Sequence, residues 1–271
     1  MRCCLRSYAR HSRFKGVIYV NYRFIKAIFR KFIRRRRNKI RSSGGLVIAV
    51  VGPEATGKST LAGEIEKWLG EYFLTYSIHA GKPPSSSISF IPNIFVPFFR
   101  KVLPQFRTSE IDYKNKRKVS LLSMMRCVMI AFDRKKLLLK AYRRASRGAV
   151  VICDRYPSCT VGAMDGPRLN QCKQKGHKIF LKNILTKVEY KIYRKIRPAD
   201  IVLQLTVPLE TAVRRNINRR KHGKETEEYV RRRHAEAGTV SSEKSILYRI
   251  NTEAPIKETV LFIKDIIWSH L

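Results

Sequence analysis

Two kinds of apolar spacing divide the chain. From Phe14 to Ile33 bulky apolar residues return at helical intervals. Ile18, Tyr22, Ile25, Phe29 and Phe32 share one stripe, with Arg23, Lys26, Arg30 and Arg34 beside or opposite it. Ser42-Ser43-Gly44-Gly45 ends that pattern. Beyond it, Leu46–Val51 is a short run rich in β-branched residues, the kind that forms a buried strand. A glycine-bearing loop follows, then a helical pattern with Leu61, Ala62, Ile65, Trp68 and Leu69 on one face. Further strands read at Ala149–Cys153 and Ile201–Val207, each after a long helical pattern. Such alternation predicts an α/β fold, a parallel sheet covered by helices on both faces. The units are then a basic amphipathic N-terminal extension, residues 1–44, and an α/β domain, residues 45–271. The stretch Gly81–Pro104, rich in Pro and Ser, interrupts the alternation and reads as a loop near the site or a surface excursion. There is no internal repeat, and no run approaches the roughly 18 apolar residues of a membrane-spanning helix.

Charge changes this picture. The 271 residues hold 57 Lys+Arg against 20 Asp+Glu, a net charge of +37 that suggests a polyanionic neighbour. Fifteen of the basic residues fall within residues 1–44, which hold no acid; the first carboxylate is Glu54. The remaining +22 spreads over residues 45–271. A basic amphipathic helix closed by Arg34-Arg35-Arg36-Arg37 suits an anionic membrane surface or a protein partner through residues 14–37. The plainer alternatives are a helix packing its stripe onto the following domain, or a tail. Cys3-Cys4 beside it could accept an acyl group, though two adjacent cysteines say little alone. The six cysteines form no paired CxxC pattern, so reduced thiols of a cytoplasmic protein are expected, with no zinc site and no cleaved signal peptide. A peripheral location at the inner face of the membrane is compatible with that. Nucleic acid, the first partner that composition suggests, lacks an accompanying aromatic-basic fold signature.

The chemistry is concentrated in Gly52-Pro53-Glu54-Ala55-Thr56-Gly57-Lys58-Ser59-Thr60, which fits the phosphate-binding pattern GxxxxGK[ST] between a strand and a helix. Its glycines let the backbone wrap so that successive N–H groups point at a phosphate chain, and the helix starting near Lys58 adds its positive end. Lys58 would serve the β- and γ-phosphates, and the Ser59 hydroxyl a Mg²⁺ ion. The sequence therefore predicts binding of ATP or GTP. At the end of the strand at Ala149–Cys153 stands Asp154-Arg155-Tyr156-Pro157, where polar residues enter the ligand crevice. Asp154 could organise Mg²⁺ or take a hydroxyl proton, and Arg155 could face phosphate; the alternative is a helix N-cap by Asp154. Arg134, in Ala131-Phe132-Asp133-Arg134 on the preceding helix, could bind an acceptor phosphate or simply be solvated. Arg215 and Arg219 are four apart and would share a helix face, able to cover the transferring group, or to remain a solvated surface.

The ordered set of these segments resembles the thymidylate kinase family of P-loop nucleoside monophosphate kinases over roughly residues 46–267. Pro198-Ala199-Asp200-Ile201-Val202-Leu203 and Tyr248-Arg249-Ile250-Asn251-Thr252-Glu253-Ala254-Pro255 belong to that set. The resemblance implies a P-loop NTPase three-layer fold with five parallel strands, transferring the γ-phosphoryl of ATP with Mg²⁺ to a nucleoside monophosphate. It implies that Glu54 lies near the acceptor sugar, Asp154 organises Mg²⁺, Arg155 assists at the phosphates and Arg134 grips the acceptor phosphate. Position 55 is Ala rather than Arg, which implies a catalytic arginine from the lid, where Arg215 and Arg219 match by position. A homodimer is also implied. The departures concern the acceptor. Gly81-Lys82-Pro83-Pro84-Ser85 replaces the family's Arg-Glu-Pro-Gly-Gly, leaving Lys82 near that space. Thr206 and Asn251 stand where acids are usual, and Pro157–Arg168 is longer than thymidylate binding leads one to expect. A small phosphate-bearing acceptor is thus expected without dTMP specificity. The alternative is a nucleotide-dependent ATPase or switch with a membrane-associated partner, for which the resemblance offers surface-polysaccharide synthesis as a setting.

Overall fold

The computed structural model describes residues 39–42, 44–81, 83, 121–159, 165–169, 179–218, 225–236 and 245–271. The amphipathic segment 14–37, Cys3, Cys4, Lys82, Arg219 and most of the Pro/Ser-rich stretch lie outside the described residues. The chain divides into Met1–Lys39 and Ile40–Leu271. That division falls upstream of the Ser-Ser-Gly-Gly break, because Arg41 is tied into the second unit. Its N–H donates to the Gly148 carbonyl at 3.1 Å and its guanidinium to the Leu271 carbonyl at 2.9 Å.

Among the described residues five strands form the sheet: β1 (Leu46–Val51), β2 (Thr75–His79), β3 (Val150–Asp154), β4 (Ile201–Thr206) and β5 (Ile246–Asn251). Their spatial order is β2-β3-β1-β4-β5 and every pairing is parallel. Among the described residues six helices accompany them: α1 (Lys58–Tyr72), α2 (Leu121–Ala145), α3 (Ile179–Arg194), α4 (Leu209–Ile217), α5 (Glu227–Ala235) and α6 (Ile256–Trp268). β1 is central, so both of its faces must be apolar, and Val47–Val51 are all buried. Val47, Ala49 and Val51 pack with Val151, Cys153 and Val202 against Met124, Ala131 and Leu138 of α2 and Tyr193 of α3. Ile48 and Val50 pack with Ile152, Leu203 and Leu205 against Leu61, Ile65 and Leu69 of α1 and Ile263 and Ile267 of α6. One strand thus feeds two cores, and the result is the three-layer α/β sandwich of the P-loop NTPases.

Parallel pairing places every strand's carboxyl end on one edge of the sheet. That edge carries the loop after β1, His79, Asp154, Thr206 and Asn251. The chain builds β2 and β3 on one side of β1 and then crosses from β3 to β4 on the other, which opens a crevice at that end of the central strand. Among the described residues, no helix is long and apolar enough to cross a membrane.

Candidate functional site

The loop between β1 and α1 takes three left-handed backbone steps: Gly52 (φ 150°), Ala55 (φ 62°) and Gly57 (φ 86°). A Cβ at Gly52 would lie 2.5 Å from the Leu205 carbonyl oxygen, so glycine there is dictated by the close passage of β4. Gly52→Ala is expected to push the loop away from β4, destabilise the domain by about 1–3 kcal/mol and lower nucleotide affinity about tenfold or more. Thermal melts read with and without Mg²⁺-ATP check this; unchanged affinity would contradict it. Gly57 is the N-cap of α1, so the helix opens with its unpaired N–H groups facing the loop. The Thr56 hydroxyl donates to the Pro53 carbonyl at 3.0 Å and holds the loop closed, and Thr60 lines the adjoining cleft.

Lys58, the first residue of α1, is buried and folds its Nζ back to donate to the Pro53 carbonyl. Burial pulls its pKa down to about 8; Glu54 opposes that shift and Arg155 adds to it. Glu54 is buried as well, and its Oε1 accepts from Arg155 Nη2 at 2.8 Å. Burial works to raise the Glu54 pKa, but the charges of Lys58, Arg155 and Arg233 hold it below the usual carboxylate range. A lysine poised inside a glycine loop, with neighbours that keep an acid ionised, is built to receive a polyanion.

Asp154 is the last residue of β3, not a helix N-cap: Arg155 follows it at φ 69° and no helix starts there. Its Oδ2 accepts from Ser59 Oγ at 2.7 Å and lies 3.1 Å from His79 Nδ1, while its Oδ1 is buried with no hydrogen-bond partner among the described residues. A buried carboxyl oxygen left without a donor beside a serine hydroxyl is what a divalent cation would satisfy, so Ser59 and Asp154 are the pair that could hold Mg²⁺.

Arg134 requires a correction. All five of its N–H groups are engaged: Nε by the Ala80 carbonyl, Nη1 by the Asp165 carbonyl and the Tyr193 hydroxyl, and Nη2 by the Gly81 carbonyl and Asp165 Oδ1. It is 3% exposed. Arg134 is therefore neither solvated nor free to grip an acceptor phosphate; it joins α2 to the ends of β2 and to Asp165. Arg215 lies on α4, whose C-cap is Asn218, and the reading that pairs it with Arg219 on one helix face reaches outside the described residues. Arg215 donates from Nη2 to the Thr252 carbonyl at 2.7 Å and walls a cleft with Ala55, Thr60, Leu61, Thr252 and Ile256. It thus stands over the open side of α1's first turn.

The basic residues that α5 brings to the loop were missed in the sequence. His234 Nε2 lies 2.9 Å from the Glu54 carbonyl oxygen. Arg233 is largely buried and its Nε has no hydrogen-bond partner among the described residues, while its charge acts on both Glu54 and Asp165. The available signal was Val230, fully buried, which fixes the inward face of α5 and carries positions 233 and 234 with it. Asp165 was missed as well; it is buried, at φ 60°, within a segment that shows no periodicity.

No family model matches the chain. It is 25% identical over 177 residues, 62% of its length, to an Escherichia coli K12 protein described as the uncharacterized ATP-binding protein YghR, covering 68% of that protein. The YghR of E. coli O6:H1 strain CFT073 matches equally. Among solved structures, thymidylate kinase from Candida albicans superposes with a TM-score of 0.50 at 16% identity, covering 84% of this chain and 92% of the kinase. Deoxyadenosine kinase from M. mycoides, with dCMP and dCDP bound, superposes with a TM-score of 0.48 at 19% identity, over 83% of this chain and 100% of the kinase. The chain has the five-stranded parallel fold of a P-loop nucleotide kinase and is similar to an ATP-binding protein.

Proposed function

We propose that the protein is an ATP- and Mg²⁺-dependent phosphotransferase acting on a small-molecule acceptor. The observation that carries this reading is the meeting of two strand ends, those of β1 and β3, in three features: the loop with Lys58, the Ser59–Asp154 pair, and the Arg155–Glu54 ion pair. Adenine would enter the cleft walled by Arg215 and Thr252, placing the donor phosphates along the N–H groups of residues 52–60. Ser59 and Asp154 would hold Mg²⁺, whose chemistry there is to offset the charge of the donor phosphates. Lys58 leaves the Pro53 carbonyl to reach the β- and γ-phosphates. Arg155 and Arg233 face the transferring group, and Arg233 from α5 takes the part assigned by resemblance to Arg215 and Arg219.

On resemblance alone the acceptor would be a nucleoside monophosphate, with Arg155 and Lys82 on its phosphate and Arg134 withheld from it by its own hydrogen bonds. The test of the general reading is purified protein incubated with γ-labelled Mg²⁺-ATP and a panel of nucleosides, sugars and their monophosphates. Label should pass to at least one acceptor; a protein that binds ATP yet labels none would defeat the reading.

We infer two contacts with partners, one from an exposed apolar face and one from the sequence of residues 1–44. Met125, Phe132 and Leu139 form an exposed apolar stripe along α2, beside exposed Phe180 and Leu181 of α3, and this face supports a homodimer. The acid-free, fifteen-cation segment of residues 1–44 supports a peripheral contact with anionic membrane. Replacing Arg34-Arg35-Arg36-Arg37 by glutamines should weaken co-sedimentation with phosphatidylserine vesicles by roughly 10²-fold or more, at about 1 kcal/mol for each cation. Turnover of soluble substrate should not change. Binding that is indifferent to salt and to these arginines would dismiss the membrane contact, and with it an ATPase or switch working there.

A further inference from the structure

Asp165 sits where it can neutralise both arginines that the resemblance assigns to the acceptor. Its Oδ1 accepts from Arg134 Nη2 at 2.7 Å and its Oδ2 lies 3.7 Å from Arg155 Nη1. Its backbone carbonyl takes a further bond, from Arg134 Nη1 at 2.9 Å. The second guanidinium nitrogen of Arg155 is occupied by Glu54. Two carboxylates therefore already stand against these two arginines, and the Asp165 oxygens face them much as two oxygens of a phosphate would. From this arrangement we infer that the acceptor is a neutral alcohol, such as a nucleoside or free sugar, with Asp165 supplying internally the charge an acceptor phosphate would have brought. The inference rests on the phosphotransferase reading and narrows its substrate class.

Three observations support a permanent rather than casual placement of Asp165. The side chain is 8% exposed and its partner Arg134 4%, so the pair is shielded from solvent. Both Asp165 and Arg155 hold left-handed backbone, φ 60° and 69°, a conformation kept only where surrounding contacts over-determine it. Burial favours the neutral acid, but Arg134, Arg155, Arg233 and Arg168 together hold the carboxyl below its ordinary pKa. A monoester phosphate bringing nearly two more negative charges would meet Asp165 and Glu54 at close range and be repelled, whereas a hydroxyl adds no charge.

The transfer balances with a neutral acceptor. The hydroxyl oxygen forms a bond to the γ-phosphorus as the bond from that phosphorus to the β–γ bridging oxygen breaks, and the electron pair leaves on ADP. The hydroxyl proton passes to the Glu54 carboxylate, which Lys58 and Arg155 keep ionised, and from there to solvent. The products are a phosphate monoester, ADP and a proton.

The test uses the full chain with its donor site filled by a non-hydrolysable ATP analogue and Mg²⁺. Inorganic phosphate and thymidine monophosphate are then titrated into the unaltered protein and into Asp165→Asn. The unaltered protein should show no saturable binding up to about 10 mM, and Asp165→Asn should gain affinity at least about tenfold as its arginines are released. Saturable binding below 1 mM on the order of a kinase KM in the unaltered protein overturns the inference, whatever the variant does, so it stays testable if Asp165→Asn fails to fold. In paired turnover assays, a nucleoside or hexose should be used at least about tenfold better than its own monophosphate. A preference for the monophosphate overturns it. Analogue binding is read first and separately: if it fails, the phosphotransferase reading falls and this inference with it.

Discussion

Lys58→Met is expected to reduce phosphoryl transfer by at least about 10³-fold while leaving the domain as stable as before, or more so. The loss follows from the transition state, whose spreading charge on the γ-phosphoryl group is met here by few mobile cations as close as Lys58. The stability follows from the cost of that cation without its ligand. Burial lowers its pKa from 10.5 to about 8, and each unit corresponds to about 1.4 kcal/mol, so the charged lysine costs about 3 kcal/mol in the folded state at neutral pH. Below pH 8 both folded and unfolded chains carry the proton, and the full cost is present. Between about 8 and 10.5 the unfolded chain binds a proton that the folded chain does not, so stability rises with pH through this window. Methionine fills similar space without charge and should abolish that rise. Chemical denaturation at pH 7 and pH 10 reads the stability, and labelled transfer reads the activity. A variant that loses activity and also loses several kcal/mol would mean that Lys58 supports the loop rather than serving the phosphates.

The same residue gives the unaltered protein a pH signature. Free enzyme loses the Lys58 charge above pH about 8, whereas bound phosphates favour keeping it. The KM for ATP should therefore climb above that pH while kcat at saturating ATP changes much less. A matching fall of both would point to a group in the loaded site instead.

The parts of this molecule that could be read in its sequence are those where burial is two-sided. β1, β3 and β4 lie at the centre of the sheet, so Leu46–Val51 and Val150–Cys153 appear as unbroken apolar runs and Ile201–Leu205 as one interrupted only by Gln204. β2 was legible only through resemblance, because Thr75–His79 is an edge strand whose residues are half-buried or exposed. The loop from Gly52 to Ser59 could be found because its geometry is written in consecutive residues. Arg215 could be placed on its helix but not given its bond to the Thr252 carbonyl, which exists only after folding. Arg134 could be located on the correct helix but not given its role, since its five hydrogen bonds to three separate segments exist only after folding. Asp165 and Arg233 were invisible for the same reason. One follows an aperiodic stretch, and the other is the last of three adjacent arginines that only the burial of Val230 distinguishes.

Asp154→Asn is the second substitution with a large expected effect, because it keeps shape and removes only charge. The amide oxygen could still accept from Ser59 Oγ, now 2.7 Å from Oδ2, and the His79 contact could survive, so the sheet end should stay intact. What disappears is the carboxyl oxygen Oδ1, buried and without a donor among the described residues. An amide NH₂ turned to that position would present hydrogens where a cation is to sit. Transfer should fall about 10²- to 10³-fold, with the Mg²⁺ concentration for half-maximal rate rising and the KM for ATP changing little, because Lys58 and the loop N–H groups still bind the donor. Thermal stability should shift by less than about 1 kcal/mol, since a carboxylate relieved of an unsatisfied buried oxygen offsets the weakened bond from Ser59. Titrating Mg²⁺ at fixed ATP separates the outcomes. A variant with reduced rate but an unchanged Mg²⁺ midpoint would move Asp154 from the metal to the acceptor hydroxyl, where it would compete with Glu54 for the departing proton.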